Sequence, residues 1–136
     1  MSALLRLRCP SCGEMQEIAA DNTPCKKCST SLSAVNMGVL QLYRMGSPIG
    51  VAVGYGIYLN TLPYGHVGNT ETVRIALPYG TYNLHCTCGM TRKCEDFSFT
   101  LSPNVPCIYA KASIKMGFWS NKINIAPARA EEMPPL

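Results

Sequence analysis

Between residues 39 and 125 apolar and polar positions alternate in short runs, and turn-forming residues separate the runs. Alternation with a period of two marks a strand that buries one face. Val51, Val53, Tyr55, Ile57 and Leu59 share one parity in 51–59. Val73, Ile75 and Leu77 do so in 72–77, and Tyr82, Leu84, Cys86 and Cys88 in 81–88. Phe97, Phe99 and Leu101 follow in 96–101, then Ile108, Ala110, Ala112, Ile114 and Met116 in 107–116. Shorter strands are predicted at 39–44 and 121–125. The separating turns are Gly46-Ser47-Pro48, Pro63-Tyr64-Gly65, Gly68-Asn69, Pro78-Tyr79-Gly80 and Ser102-Pro103-Asn104. No long amphipathic helix competes with this pattern. About seven short strands with turns every 8–12 residues or so predict an all-β fold, an antiparallel β-sandwich.

The first 32 residues follow another logic. Cys9-Pro-Ser-Cys12-Gly13 and Cys25-Lys-Lys-Cys28 are two Cys-x-x-Cys pairs separated by twelve residues. Two residues between cysteines allow a tight knuckle that aims both sulfurs at one ion, and Gly13 suits the left-handed position after it. Four thiolates make the tetrahedral set that zinc accepts at about 2.3 Å. Iron accepts the same ligands. A thioredoxin-like redox pair needs a Cys-x-x-Cys at a helix N-terminus within a βαβ unit, and no such unit is predicted. Four thiolates leave no position for a substrate water, so the ion is expected to be structural. A segment this short buries too little to fold unaided, and metal binding supplies the difference. The chain therefore divides into a metal-binding unit at 1–32, a linker at 33–38, a sandwich at 39–126 and a flexible tail at 127–136.

Composition sharpens this picture in three places. The 136 residues are 47% hydrophobic and 15% charged, which is globular rather than disordered. A net charge of +4 is too small to mark a nucleic-acid-binding protein by itself. The apolar run near the N-terminus is only three residues long, and no run approaches the length of a membrane span. A cytoplasmic chain without membrane insertion is expected, and there the eight cysteines read as thiols or metal ligands before disulfides.

Residues 1–32 resemble a zinc ribbon, on the four cysteines, Pro10 and Gly13. The resemblance implies a β-hairpin around each knuckle, entered by Leu4-Leu5-Arg6-Leu7-Arg8. Residues 49–88 resemble PEGA-like and related Ig-like β-sandwich domains, through Tyr58-Leu59-Asn60, Leu77-Pro78-Tyr79-Gly80 and Tyr82-Asn83-Leu84. Thr61 stands where those domains carry the glycine of the first turn. Such domains are small non-enzymatic modules, and the pairing of ribbon and sandwich resembles small bacterial proteins of unassigned function.

The remaining candidates are fewer. Cys86, Cys88, Cys94 and Cys107 read either as core or surface thiols or as a second thiol cluster for metal. Cys94, beside Arg92 and Lys93, is a candidate nucleophile, with His85 and His66 as the histidines available to serve as base. Phe118 and Trp119, flanked by Lys115 and Lys122, form either a packed sandwich end or an exposed tip for a partner. The leading expectation is a non-enzymatic zinc protein that binds or scaffolds another protein. The alternatives are a nucleic-acid-binding protein that uses the ribbon and a basic face with Lys111, and a cysteine- or metal-dependent enzyme.

Overall fold

A computed structural model describes residues 4–46, 54–89, 93–116 and 121–135. The predicted strand start at 51–53 and the Phe118-Trp119 tip lie outside the described residues. Among those described, thirteen strands account for the fold. They are β1 (Leu5–Arg8), β2 (Met15–Ile18), β3 (Thr23–Pro24), β4 (Ser31–Leu32), β5 (Met37–Arg44), β6 (Tyr55–Leu59) and β7 (Leu62–Val67). Then come β8 (Thr72–Pro78), β9 (Gly80–Thr87), β10 (Cys94–Glu95), β11 (Phe97–Leu101), β12 (Cys107–Met116) and β13 (Asn121–Ala128). A 3₁₀ turn at Ala130–Glu132 follows. The protein is all-β, as the alternation predicts.

The strands form a seven-stranded sheet in the order β10-β13-β12-β5-β8-β1-β2, a four-stranded sheet β11-β9-β6-β7, and the short pair β3-β4. The two larger sheets bury one face each in a shared core. Leu40, Leu42, Ile75, Leu77, Ala110 and Ile123 enter it from the larger sheet, and Tyr55, Ile57, Leu59, Leu84 and Leu101 from the smaller. For Tyr55, Ile57, Leu59, Ile75, Leu77, Leu84, Leu101 and Ala110 these are the parities read from the sequence. At Gly38 of β5 the sheets approach closely enough that a Cβ would lie 2.8 Å from the Cβ of Leu101.

Two features depart from expectation. The larger sheet is mixed rather than antiparallel, because β5 pairs parallel with β12, β1 with β8, and β10 with β13. Alternation identifies a buried face but carries nothing about the direction of the neighbouring strand. Pro63-Tyr64-Gly65, read as a turn, belongs to β7. The reversal lies just before it, at Asn60 and Thr61, whose φ angles of 49° and 70° make a two-residue hairpin loop with Leu59 opposite Leu62. Pro63 is tolerated there because β7 is an edge strand, where a missing N–H interrupts no ladder. The second Leu-Pro-Tyr-Gly does turn: Tyr82 Oη donates to the Pro78 carbonyl at 2.5 Å across the β8–β9 reversal. Asn60 ties the first reversal to β9, accepting from the Asn83 N–H at 2.9 Å and donating through Nδ2 to the Thr81 carbonyl at 3.3 Å.

β1 has two working faces. Leu7 joins Ile18, Leu32 and Ala76 in a second, smaller core on the outer side of the large sheet. Arg6 and Arg8 point the other way, toward β7. Arg6 donates to the carbonyls of Tyr64 at 2.8 Å and His66 at 3.0 Å, and Arg8 to the carbonyl of Pro63. The arginines thus occupy carbonyls on the open side of the smaller sheet.

Candidate metal centre

The two Cys-x-x-Cys pairs fold into knuckles of the same design. In the first, between β1 and β2, the Gly13 N–H donates to the Cys9 carbonyl at 2.9 Å and the Cys9 N–H to the Glu14 carbonyl at 2.9 Å. In the second, between β3 and β4, the Ser29 N–H donates to the Cys25 carbonyl at 2.9 Å and the Cys25 N–H to the Thr30 carbonyl at 2.8 Å. Each knuckle closes on a left-handed residue, Gly13 at φ 78° and Ser29 at φ 65°. Neither pair caps a helix, the setting a thioredoxin-like redox pair needs.

The knuckles bring Cys9, Cys12, Cys25 and Cys28 together, with their sulfurs all within 4.8 Å of one another. Sγ of Cys9 lies 3.5 Å from that of Cys28, and Sγ of Cys12 lies 3.6 Å from that of Cys25. A tetrahedron with metal–sulfur bonds of about 2.3 Å has edges of about 3.8 Å, so the four thiols fit one zinc-sized ion with small adjustment. All eight cysteines are free thiols.

Neighbouring groups favour the ionised form at Cys25 and Cys28 and oppose it at Cys12. The Cys28 N–H, opposed by burial and joined by Gln16 and the Lys27 N–H, holds the Cys25 thiol down to about 6. The Thr30 hydroxyl and N–H lower Cys28. At Cys12 the Glu14 N–H pulls down, but burial beside the Cys25, Cys28 and Cys9 sulfurs prevails and pushes that thiol up to about 12. Four thiolates this close repel one another, and a cation at their centre is what relieves the repulsion.

Gln16 is a site residue that the sequence reading did not single out. Its Nε2 donates to Cys25 Sγ at 3.2 Å while its Oε1 accepts from the Lys26 N–H at 3.0 Å. One buried amide from β2 thereby fixes the second knuckle against the first. A cavity of about 360 Å³ adjoins the centre, bounded by Leu7, Cys9, Leu32, Met37, Tyr64 and Ala76.

The other sequence candidates are dispersed. Cys86 and Cys88 are buried in the main core on and just after β9, whereas Cys107 opens β12 opposite Val39. Cys94 lies instead with His85 and Asp96, their ligand atoms within 4.8 Å of one another. Burial, with Asp96 and Glu95 adding to it against the Cys86 N–H, pushes the Cys94 thiol up to about 11. That is the reverse of what activates a thiol nucleophile. Lys115 and Lys122 face each other across β12 and β13, with Lys122 Nζ 2.7 Å from Glu95. Lys111 is paired with Glu132 at 3.6 Å.

No family model, curated protein or solved structure matches the chain. No helix among the described residues is long and apolar enough to cross a membrane.

Proposed function

We propose that this chain is a non-enzymatic zinc-binding module of the reducing cytoplasm. In this reading a four-cysteine zinc ribbon is built onto the edge of a PEGA-like β-sandwich, and the assembled surface serves as a protein-interaction or scaffolding unit. The convergence of Cys9, Cys12, Cys25 and Cys28 on two matched knuckles carries the proposal. The four cysteines would hold the ion, which supplies a cross-link and no open coordination position. Its role is structural because β1 joins the first knuckle to the large sheet, with Arg6 in register with Ile75 of β8.

The test is zinc analysis of the purified chain, followed by amide exchange before and after chelation. One tightly held equivalent at the four cysteines is expected. Its removal should speed exchange through 4–34 and along β8, leaving β12 and β13 protected. Unchanged exchange after complete zinc removal would refute the structural role. The interaction reading further expects that a partner retained by the loaded chain is released by the chelated one.

A further inference from the structure

The cluster of His85, Cys94 and Asp96 sits where the chain crosses between sheets. Cys94 lies on β10, the edge of the seven-stranded sheet, in register with Ile123 of β13. Asp96 precedes β11, the edge of the four-stranded sheet, and continuation of the Phe97–Leu84 register places it opposite His85 on β9. Three side chains with three kinds of donor atom meet there, and His85 Nδ1 lies 2.7 Å from Asp96 Oδ1.

We propose that His85, Cys94 and Asp96 form a second metal site, which takes a divalent transition ion of zinc's kind and leaves at least one coordination position to solvent. The donor set chooses the ion. A thiolate and an imidazole favour zinc or its transition-metal neighbours over magnesium and calcium, which require oxygen. Thiolate and carboxylate together carry two negative charges, which balance a divalent ion while the imidazole remains neutral.

The supporting groups are those of a prepared ligand set. Asn83 Nδ2 donates to Asp96 Oδ2 at 3.0 Å, and Ser98 Oγ donates to Asn83 Oδ1 at 3.4 Å. The Cys86 N–H donates to Cys94 Sγ at 3.5 Å. Lys122 is engaged by Glu95, and among the described residues the ion pair of Asp96 is with His85. The 2.7 Å contact is a hydrogen bond in the metal-free arrangement. An entering ion takes the place of the shared proton at Nδ1; that single ring proton passes through solvent to Nε2, leaving the imidazole neutral, and the Cys94 thiol proton is released to solvent. The nitrogen and oxygen must then separate to about 3.3 Å, as ligands at 2.0–2.1 Å require. The side chains of His85 and Asp96 are 34% and 37% exposed, so both have room to do so.

Equilibrium dialysis of the full chain against micromolar free zinc, followed by metal analysis, tests the site. The wild type should hold two equivalents per chain, and Cys94→Ser and His85→Gln one each. With cobalt(II) as probe, both variants should keep the strong thiolate charge-transfer bands of the four-cysteine centre and lose only the weaker component. A wild type whose single equivalent survives both Cys94→Ser and His85→Gln, or variants that keep two, overturns the proposal. His85→Gln keeps a hydrogen-bonding side chain at a partly exposed position, so it remains informative if Cys94→Ser misfolds. Cys25→Ser separates this outcome from failure of the ribbon reading. If a single wild-type equivalent disappears in that variant, the first centre stands and the second does not.

Discussion

Replacing Arg6 with leucine should destabilise the protein by about 3 kcal/mol, although the substituted residue is in neither sheet core. The guanidinium makes three contacts that leucine cannot make. Its bond to the Tyr64 carbonyl is buried, and leaving that acceptor unpaired costs about 1–3 kcal/mol. The His66 carbonyl belongs to an exposed residue on an edge strand, recovers water readily, and adds about 1 kcal/mol. The pair with Glu17 at 3.2 Å adds less than about 1 kcal/mol, since the Glu17 side chain is 42% exposed. Urea denaturation followed by far-ultraviolet circular dichroism, with zinc in excess, measures the sum. The midpoint should fall with the slope unchanged, and the thermal midpoint should drop by about 10 °C. Arg8→Leu is the control. Its bonds to the Gly13 and Pro63 carbonyls are exposed, and its loss should cost about 1 kcal/mol. If Arg6→Leu falls within about 0.5 kcal/mol of wild type, or costs no more than Arg8→Leu, the claim that β1 supports β7 through its arginines is wrong.

Thr61 holds φ 70° in the β6–β7 reversal, a poor conformation for a β-branched residue, so Thr61→Gly should raise stability by about 1 kcal/mol in the same urea titration. Cys86 is fully buried, and burial, reinforced by Cys94 and Asp96, pushes its thiol far up. Alkylation mapped by mass spectrometry should therefore label Cys86 only as fast as the chain unfolds, well after the partly exposed Cys107. The Arg129 N–H, assisted by the Arg129 and Lys111 side chains, holds the Glu132 carboxyl below its ordinary 4.5. A depressed carboxyl stabilises the fold above its unfolded value and ceases to do so as pH falls through its folded value. The Arg129 amide resonance should accordingly stay constant above that ordinary value and shift only below it.

Much of the fold was legible because alternation reports burial directly. The inward residues of β8, β9, β11 and β12 were named by parity alone, and the thiolate centre by spacing alone. The failures share a cause: they depend on contacts between segments distant in sequence. Leu-Pro-Tyr-Gly has the composition of a turn, yet the first copy is held extended by its hairpin with β6 and by Arg8 at Pro63. Arg6 and Arg8 alternate with Leu5 and Leu7, a pattern that describes a solvated face unless another sheet lies opposite. Gln16 did leave a signal, since it shares its parity on β2 with the buried Ile18. The His85–Asp96 contact spans two strands whose register no local pattern encodes.

The strand order gives the chemical groups a common setting. A sheet edge exposes unpaired backbone groups, and natural proteins cover or interrupt such edges. At one end of the seven-stranded sheet stand β1 and β2, whose connection is the first knuckle of the four-cysteine centre. From there Arg6 and Arg8 reach across to the edge strand β7 of the smaller sheet. At the other end stands β10, and Cys94 on it approaches His85 and Asp96 beside the opposite edge of the smaller sheet. Each open side of the two-sheet core is thus bridged by polar side chains and thiols rather than by further strands. The two bridges differ in chemistry. The first gathers four sulfurs beside a core of its own, so an ion held there would be felt in the structure. The second gathers three partly exposed donors, so an ion held there would keep a position open to solvent and could leave while the sheets persist. If the proposed second site is filled, a ligand that reaches a metal in this protein would therefore do so at His85, Cys94 and Asp96.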